Sequence, residues 1–374
     1  MKKILLLQLK RIGDLILTTP VVAALRQKFA GAEITLIAAG ECAELMPAIL
    51  GVDRCLLVRR DLRDLAMFFA IARMHFDCCI DFTQNDRSAL LTFLSGAKTR
   101  VVSSRIKADS KIRSRIYDEF ASVRLKEMHT LDYNLGLLTP LGITDASSKL
   151  QLNVPQSAKE KASQLLRASK ANPPSPGYGA RGNPFVVFHP GSARWEKLWE
   201  PERWAEVIDR ARREWGIGTV ITGGKSVFEQ EHIRAIKANL HETIDSLSPE
   251  SSPVRVAHPS RSTPAGSIVD LSGQTDLLTL AALIGQARLL VTVDSAAMHL
   301  AAALGTPQVA LFGPTNPFHW RPREGAALIL HGRSDVPVTE FVPTRERLPM
   351  QQISTAAVFN AMSSLLSAPA AQFS

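Results

Sequence analysis

Residues 1–20 read MKKILLLQLKRIGDLILTTP, and the fold turns on whether this is a secretory leader or the first strand of an enzyme. A leader needs an uninterrupted apolar core of roughly 7–15 residues, followed by small residues at a cleavage site. Here the run Ile4 to Leu7 ends at Gln8, and Lys10, Arg11 and Asp14 stand where the core would continue. No stretch elsewhere approaches the roughly 18 apolar residues of a membrane span. The opening therefore reads as a strand followed by a turn, in a chain expected to be cytoplasmic.

Working outward, the same kind of run recurs. Residues 4–9 (ILLLQL), 33–38 (EITLIA), 54–58 (RCLLV), 77–82 (DCCIDF) and 99–103 (TRVVS) are short and apolar or β-branched, with stretches of helical length between them. A second series follows at 185–190 (FVVFHP), 218–224 (GTVITGG), 267–273 (SIVDLSG), 288–294 (RLLVTVD) and 307–313 (PQVALFG). Continuous apolar strands belong to parallel sheets covered on both faces. Between the two series, 168–184 (ASKANPPSPGYGARGNP) has the Pro, Gly, Ser and Asn content of a linker. At 374 residues the chain also exceeds the size at which one core usually splits. The expected architecture is α/β, with two doubly wound domains at 1–170 and 184–350, a linker at 171–183 and a tail at 351–374.

The formal net charge of +9 points to a polyanionic partner: nucleic acid, acidic lipid or a phosphorylated substrate. An aromatic content of 6% and the lack of a recognisable motif weigh against nucleic acid. Cys42, Cys55, Cys78 and Cys79 have neither CxxC spacing nor the density of a secreted scaffold, and read as buried thiols in a reducing compartment. Residues 98–126 carry nine Lys/Arg against three acidic residues. This segment, with Lys107, Lys111, Arg113 and Arg115, is either a solvated loop or a contact surface for an acidic acceptor or anionic membrane. Residues 246–267, dense in turn formers, read as a long surface insertion.

In an open α/β sheet, ligands bind beyond the carboxyl ends of the strands. After the first strand comes KRIGDL, where Gly13 permits a tight turn and Asp14 is either a helix cap or a catalytic carboxylate. Thr18-Thr19-Pro20 is a second helix-start signal, so that helix is expected to break or begin twice. After 185–190, Gly191 and Ser192 can offer N–H groups and a hydroxyl to phosphate oxygens, and Lys197 a point charge. GGKSVFEQE (223–231) offers a glycine turn with an acidic residue beyond it, suited to ribose hydroxyls, but is no GxGxxG fingerprint. The richest stretch is VTVDSAAMHLAAALGTPQVALFGPTNPFHWRP (291–322). There Asp294 ends a strand, Ser295 can cap the next helix, and the helix N-terminus is an anion site of the kind that holds a diphosphate. His299, one turn further, is either a packing residue or a donor to a leaving phosphate.

GDLILTTP, HPGS with a lysine five residues after the serine, and DSAAMHLAAALGTPQVALFGPTNPFHW together resemble the lipopolysaccharide heptosyltransferases of glycosyltransferase family 9. FDCCIDFTQND, HWRP and VPTRERLPMQQI further resemble the heptosyltransferase III branch. The resemblance spans nearly the whole chain. It implies a GT-B fold, two Rossmann-like domains facing a central cleft, the first binding acceptor and the second ADP-heptose. It implies an inverting, metal-independent transferase without a cofactor, acting at the cytoplasmic face of the inner membrane on a phosphorylated core acceptor. By motif, Asp14 becomes the general base. Ser192, Lys197, Ser295, Ala296, Ala297 and His299 would hold donor phosphates, with Asp294 near the donor sugar. Ribose would meet Glu229 or Glu231, with Glu229 preferred, and adenine would lie near Gly273 to Thr275. The tail helix, roughly 353–366, would cross back onto the first domain. A relative transferring heptose or another sugar to a different acceptor, or a binding protein without catalysis, are the other readings.

Overall fold

The computed structural model describes residues 1–168, 185–241 and 268–367. The expected linker at 171–183 and the insertion at 246–267 lie outside the described residues.

Six strands form the first sheet: β1 (Lys3–Gln8), β2 (Glu33–Ala39), β3 (Arg54–Val58), β4 (Cys78–Asp81), β5 (Thr99–Ser103) and β6 (Glu119–Ala121). All pair in parallel, in the order β3-β2-β1-β4-β5-β6. The run that ended at Gln8 is the central strand. Ile4 pairs with Ile34 on one side and Cys78 on the other, and Ile4 to Leu7 have no exposed surface. Parallel pairing of consecutive strands demands helical crossovers on both faces, which is why the central strand β1 is apolar from Ile4 to Leu7.

The second sheet repeats the plan with β7 (Phe185–His189), β8 (Gly218–Ile221), β9 (Ile268–Asp270), β10 (Leu289–Val293), β11 (Gln308–Phe312) and β12 (Ala327–His331). Its order, β12-β11-β10-β7-β8-β9, is the same winding. In each sheet the direction of winding reverses beside the first strand, which is where a doubly wound sheet opens a crevice for ligand.

Three features differ from the sequence expectation. The helix Thr355–Ser367 packs on the second sheet and on helix Pro201–Trp215 and does not cross to the first domain. Phe359 stacks on Trp215 at 4.3 Å between centroids and lies under Arg210, so its apolar face is consumed there. In the opposite sense, helix Gln156–Ala168, at the end of the expected first domain, packs on helix Leu277–Gln286 of the second and is tied by Lys161 to Asp276 at 2.5 Å. Cys55 is exposed, because β3 is an edge strand, while Cys42, Cys78 and Cys79 are buried as expected.

Candidate active site

The candidate carboxylate of the first domain, Asp14, is set by the turn after β1. The chain forms a short helix, Ile12–Ile16, then starts again at Thr19–Lys28 with Pro20 in the first turn, the double start that Thr18-Thr19-Pro20 suggested. Gln8 Nε2 donates to Thr18 Oγ1 (2.9 Å), Thr18 Oγ1 donates to the Asp14 carbonyl (2.8 Å), and Asn134 Nδ2 donates to the Leu17 carbonyl (3.0 Å). These bonds fix the step between the two helices. Asp14 is inside the first helix rather than at its N-cap position, which Arg11 occupies, and no side chain caps that helix. Burial pushes the Asp14 carboxyl above its ordinary value, with Lys10 and Arg11 pulling the other way. A half-buried carboxylate of raised basicity is what a general base requires.

In the second domain, Lys197 Nζ lies 2.6 Å from Asp294 Oδ2, an ion pair whose side chains are 13% and 9% exposed. Burial this deep removes most solvent screening, so the pair holds the loop after β7 against the end of β10. Ser192 is buried in the same loop. Ser295 occupies the N-cap position of helix Ala296–Leu304, but its hydroxyl meets Thr292 Oγ1 at 3.1 Å and makes no capping bond. The amides around Ala296 and Ala297 are therefore left for another acceptor, which suits an anion at the positive end of the helix.

Glu229, in the first turn of helix Val227–Asn239, is buried and accepts from Ser226 Oγ at 2.6 Å. A Cβ at Gly191 would lie 2.5 Å from Glu229 Oε1, and one at Gly224 2.4 Å from Oε2. A side chain at either glycine would force the Glu229 carboxylate out of the position it holds between the two loops. Glu231 faces solvent. Gly273 N donates to the Gly223 carbonyl (3.0 Å), which places the loop carrying Gly273 and Thr275 beside the Glu229 turn.

The two halves meet at His299. A Cβ on Gly13 would sit 2.6 Å from His299 Cδ2 and 3.0 Å from Nε2. The imidazole is buried, which lowers its pKa to about 4 against the raising effect of Asp294, so it is neutral near pH 7. Among the described residues its Nδ1 has no hydrogen-bond partner. Sequence reasoning missed the clasp that keeps the halves in register. His129 Nε2 meets the Arg321 carbonyl (2.9 Å), His319 Nδ1 the Met128 carbonyl (3.0 Å), Arg323 pairs with Asp132 (2.5 Å), and Ser148 donates to Glu324 (2.8 Å). In the sequence HWRP stands out only through a resemblance. Of the nine basic residues of 98–126, the four singled out from the sequence are engaged to different degrees. Lys107 lies over the Phe120 ring at 3.7 Å, Arg113 reaches the Gln84 carbonyl at 2.8 Å and Asp86 at 3.4 Å, and Lys111 and Arg115 are exposed.

Two doubly wound domains with a carboxylate on one and an open helix N-terminus beside a lysine on the other define a GT-B glycosyltransferase architecture. A family model described as glycosyltransferase family 9 (heptosyltransferase) matches residues 65–336, and the chain belongs to that family. Lipopolysaccharide heptosyltransferase 3 of Escherichia coli K12 is 26% identical over 318 residues, 83% of this chain and 82% of that one. The crystal structure of a family 9 glycosyl transferase from Veillonella parvula superposes with a TM-score of 0.77 at 22% identity, covering 98% and 97% of the two chains. The E. coli ADP-heptose lipopolysaccharide heptosyltransferase II gives 0.71 at 19%, covering 98% of each.

Proposed function

We propose that this enzyme transfers heptose from ADP-heptose to the phosphorylated inner core of lipopolysaccharide, in the manner of the heptosyltransferase III branch, at the cytoplasmic face of the inner membrane. The observation that carries the reading is the contact between Gly13 and His299, which sets the residue next to Asp14 directly against the helix whose N-terminus faces Lys197.

In this reaction an acceptor hydroxyl attacks the anomeric carbon while the bond from that carbon to the phosphate oxygen breaks, and ADP leaves with the electron pair. Asp14 takes the hydroxyl proton as the new glycosidic bond forms. In the proposed reaction the hydroxyl activated by Asp14 attacks from the face of the sugar opposite the diphosphate, so a single displacement inverts the anomeric centre. Charge developing on the departing phosphate is met by Lys197, by the amides at Ser295 to Ala297 and by the Ser192 hydroxyl, with neutral His299 as a further donor. The step so written calls for no metal ion. Asp294 releases part of its hold on Lys197 when phosphate arrives and turns toward the donor sugar. Glu229 takes the ribose hydroxyls, and the loop at Gly273 to Thr275 lies along adenine. Lys107, Lys111, Arg113 and Arg115 supply positive charge toward the phosphorylated acceptor or the anionic membrane.

The test is calorimetric titration with ADP-heptose, ADP and a UDP-sugar, followed by transfer to a defined core acceptor. Binding of ADP-heptose with ADP competing, and product of inverted configuration, are expected. Preference for the UDP-sugar would overturn the donor, and transfer to a different glycan or to protein would overturn the acceptor.

A further inference from the structure

Helices Arg63–Met74 and Asp86–Leu94 cover the face of the first sheet lined by Leu5, Leu7 and Cys79, opposite the face that holds the Asp14 helix and meets the second domain. Their inner sides are buried through Ile71 and Leu91. Their outer sides are apolar as well. Leu62, Leu65 and Phe69 follow one another at helical spacing along the first helix and its lead-in, and Leu90 and Phe93 do so on the second. Leu62 is 84% exposed, Phe69 65% and Phe93 61%. Five of the thirteen large apolar side chains exposed among the described residues thus lie on two adjacent helices. An unpartnered apolar surface of this kind on a soluble domain marks an interaction site.

Its charge identifies the partner. Arg59, Arg60 and Arg63 stand at the start of the first helix and Arg73 at its end, all exposed. Asp64 is turned inward, accepting from the Arg59 and Arg60 amides at 2.9 and 3.0 Å, so it does not offset them at the surface. The exposed carboxylates are Asp61, paired with Arg63 at 3.5 Å, and Asp86, paired with Arg113 at 3.4 Å. The second pair ties helix Lys111–Ser114 to this face, and that helix carries exposed Ile112 between Lys111 and Arg115. Aromatic and aliphatic side chains rimmed by arginines match the boundary between headgroups and acyl chains of an anionic bilayer. Both helices also begin at the carboxyl ends of β3 and β4, the edge of the sheet that borders the catalytic cleft.

We propose that the outer face of helices 63–74 and 86–94 docks on an anionic phospholipid bilayer, holding the cleft against the surface from which a lipid-anchored acceptor rises. The orientation of the cleft rests on the acceptor reading above, whereas the docking does not. The experiment is co-sedimentation of the full chain with phosphatidylglycerol–phosphatidylcholine vesicles and with phosphatidylcholine alone, for wild type and Phe69→Ser/Phe93→Ser. Binding only to the anionic vesicles, weakened on the order of tenfold by the double substitution, is expected. Equal binding to both vesicle types, no binding, or no change in the variant would overturn the proposal. So would sedimentation velocity showing a dimer that the substitutions dissolve, since the face would then meet a second copy. Transfer to a soluble truncated acceptor, which needs no membrane, is measured alongside. Its absence in wild type counts against the acceptor reading, and its retention in a variant that no longer binds vesicles separates docking from catalysis.

Discussion

Gly13→Ala puts a single methyl group into the seam between the domains. Within an ordinary helix this substitution stabilises by roughly 0.5–1 kcal/mol, because glycine loses more backbone entropy on folding. Here the new Cβ would lie 2.6 Å from His299 Cδ2 and 3.0 Å from Nε2. The ring cannot retreat cheaply, since His299 is buried on a helix whose Ala297 and Ala301 have no exposed surface. Overpacking of this kind costs about 1–3 kcal/mol, so the net effect is a loss of up to about 2.5 kcal/mol, opposite in sign to the helical rule. Urea unfolding of wild type, Gly13→Ala, His299→Ala and the double variant measures it. In the His299→Ala background the obstruction is gone and the alanine should stabilise, giving a coupling of about 1–3 kcal/mol between the two sites. If Gly13→Ala stabilises wild type, the close packing of the two halves at this point is wrong.

Asp14→Asn should lower turnover on the order of 10²-fold or more while donor titration stays near wild type; unchanged turnover would leave the carboxylate a structural group. Lys197→Ala should weaken ADP binding and also cost about 3–5 kcal/mol of stability by stranding the buried Asp294, with Lys197→Ala/Asp294→Asn recovering most of the stability but not the affinity. Full ADP affinity in the single variant would refute the phosphate role. His129, His189, His232 and His299 are each lowered to about 4, chiefly by burial. Their unfolded values lie near 6.5, so their stabilisation is complete above that pH and is lost as pH falls toward 4, on the order of 3 kcal/mol each. Burial raises Asp14 and Asp81, whose contributions run the other way. A urea midpoint that stays level from pH 6.5 to 5 would contradict the buried, neutral histidines.

The central strands were legible because strands buried on both faces leave an unbroken apolar run, and ten of the twelve appear that way. The two that escaped, β6 and β12, are the outer strands on one side of each sheet. β6 has only three residues, Glu119 among them. An edge position makes fewer demands on side chains, and the signal fades with them. The tail helix was misplaced because amphipathicity says that a face will be buried and not against what; the Trp215 partner of Phe359 lies 144 positions away. Glycine, serine and lysine at turn positions marked the loop after β7, and the structure brings its Lys197 onto Asp294. By contrast the clasp at His129 and His319 bonds to backbone carbonyls, which any residue presents.

That clasp bears on how a cleft between two domains reaches reacting geometry. The exposed pair Arg323–Asp132 contributes little on its own, about 0–1 kcal/mol. His129 differs, because its imidazole is buried and burial keeps it neutral, with Nδ1 accepting from the Leu131 amide at 3.2 Å and Nε2 thereby left to donate to the Arg321 carbonyl. A buried hydrogen bond is costly to leave unmade, so this one resists opening far more than the ion pair beside it. Residues 128–148 and 319–324 form one edge of the contact between domains, and Gly13 against His299 forms another. With these contacts, and with helix Gln156–Ala168 packed on helix Leu277–Gln286, rotation of one sheet relative to the other must break a buried hydrogen bond or lift the Asp14 helix off His299. The domains therefore hold Asp14 and Lys197 at a set separation before substrate arrives, and in the proposed reaction little of the donor's binding energy is needed to assemble them.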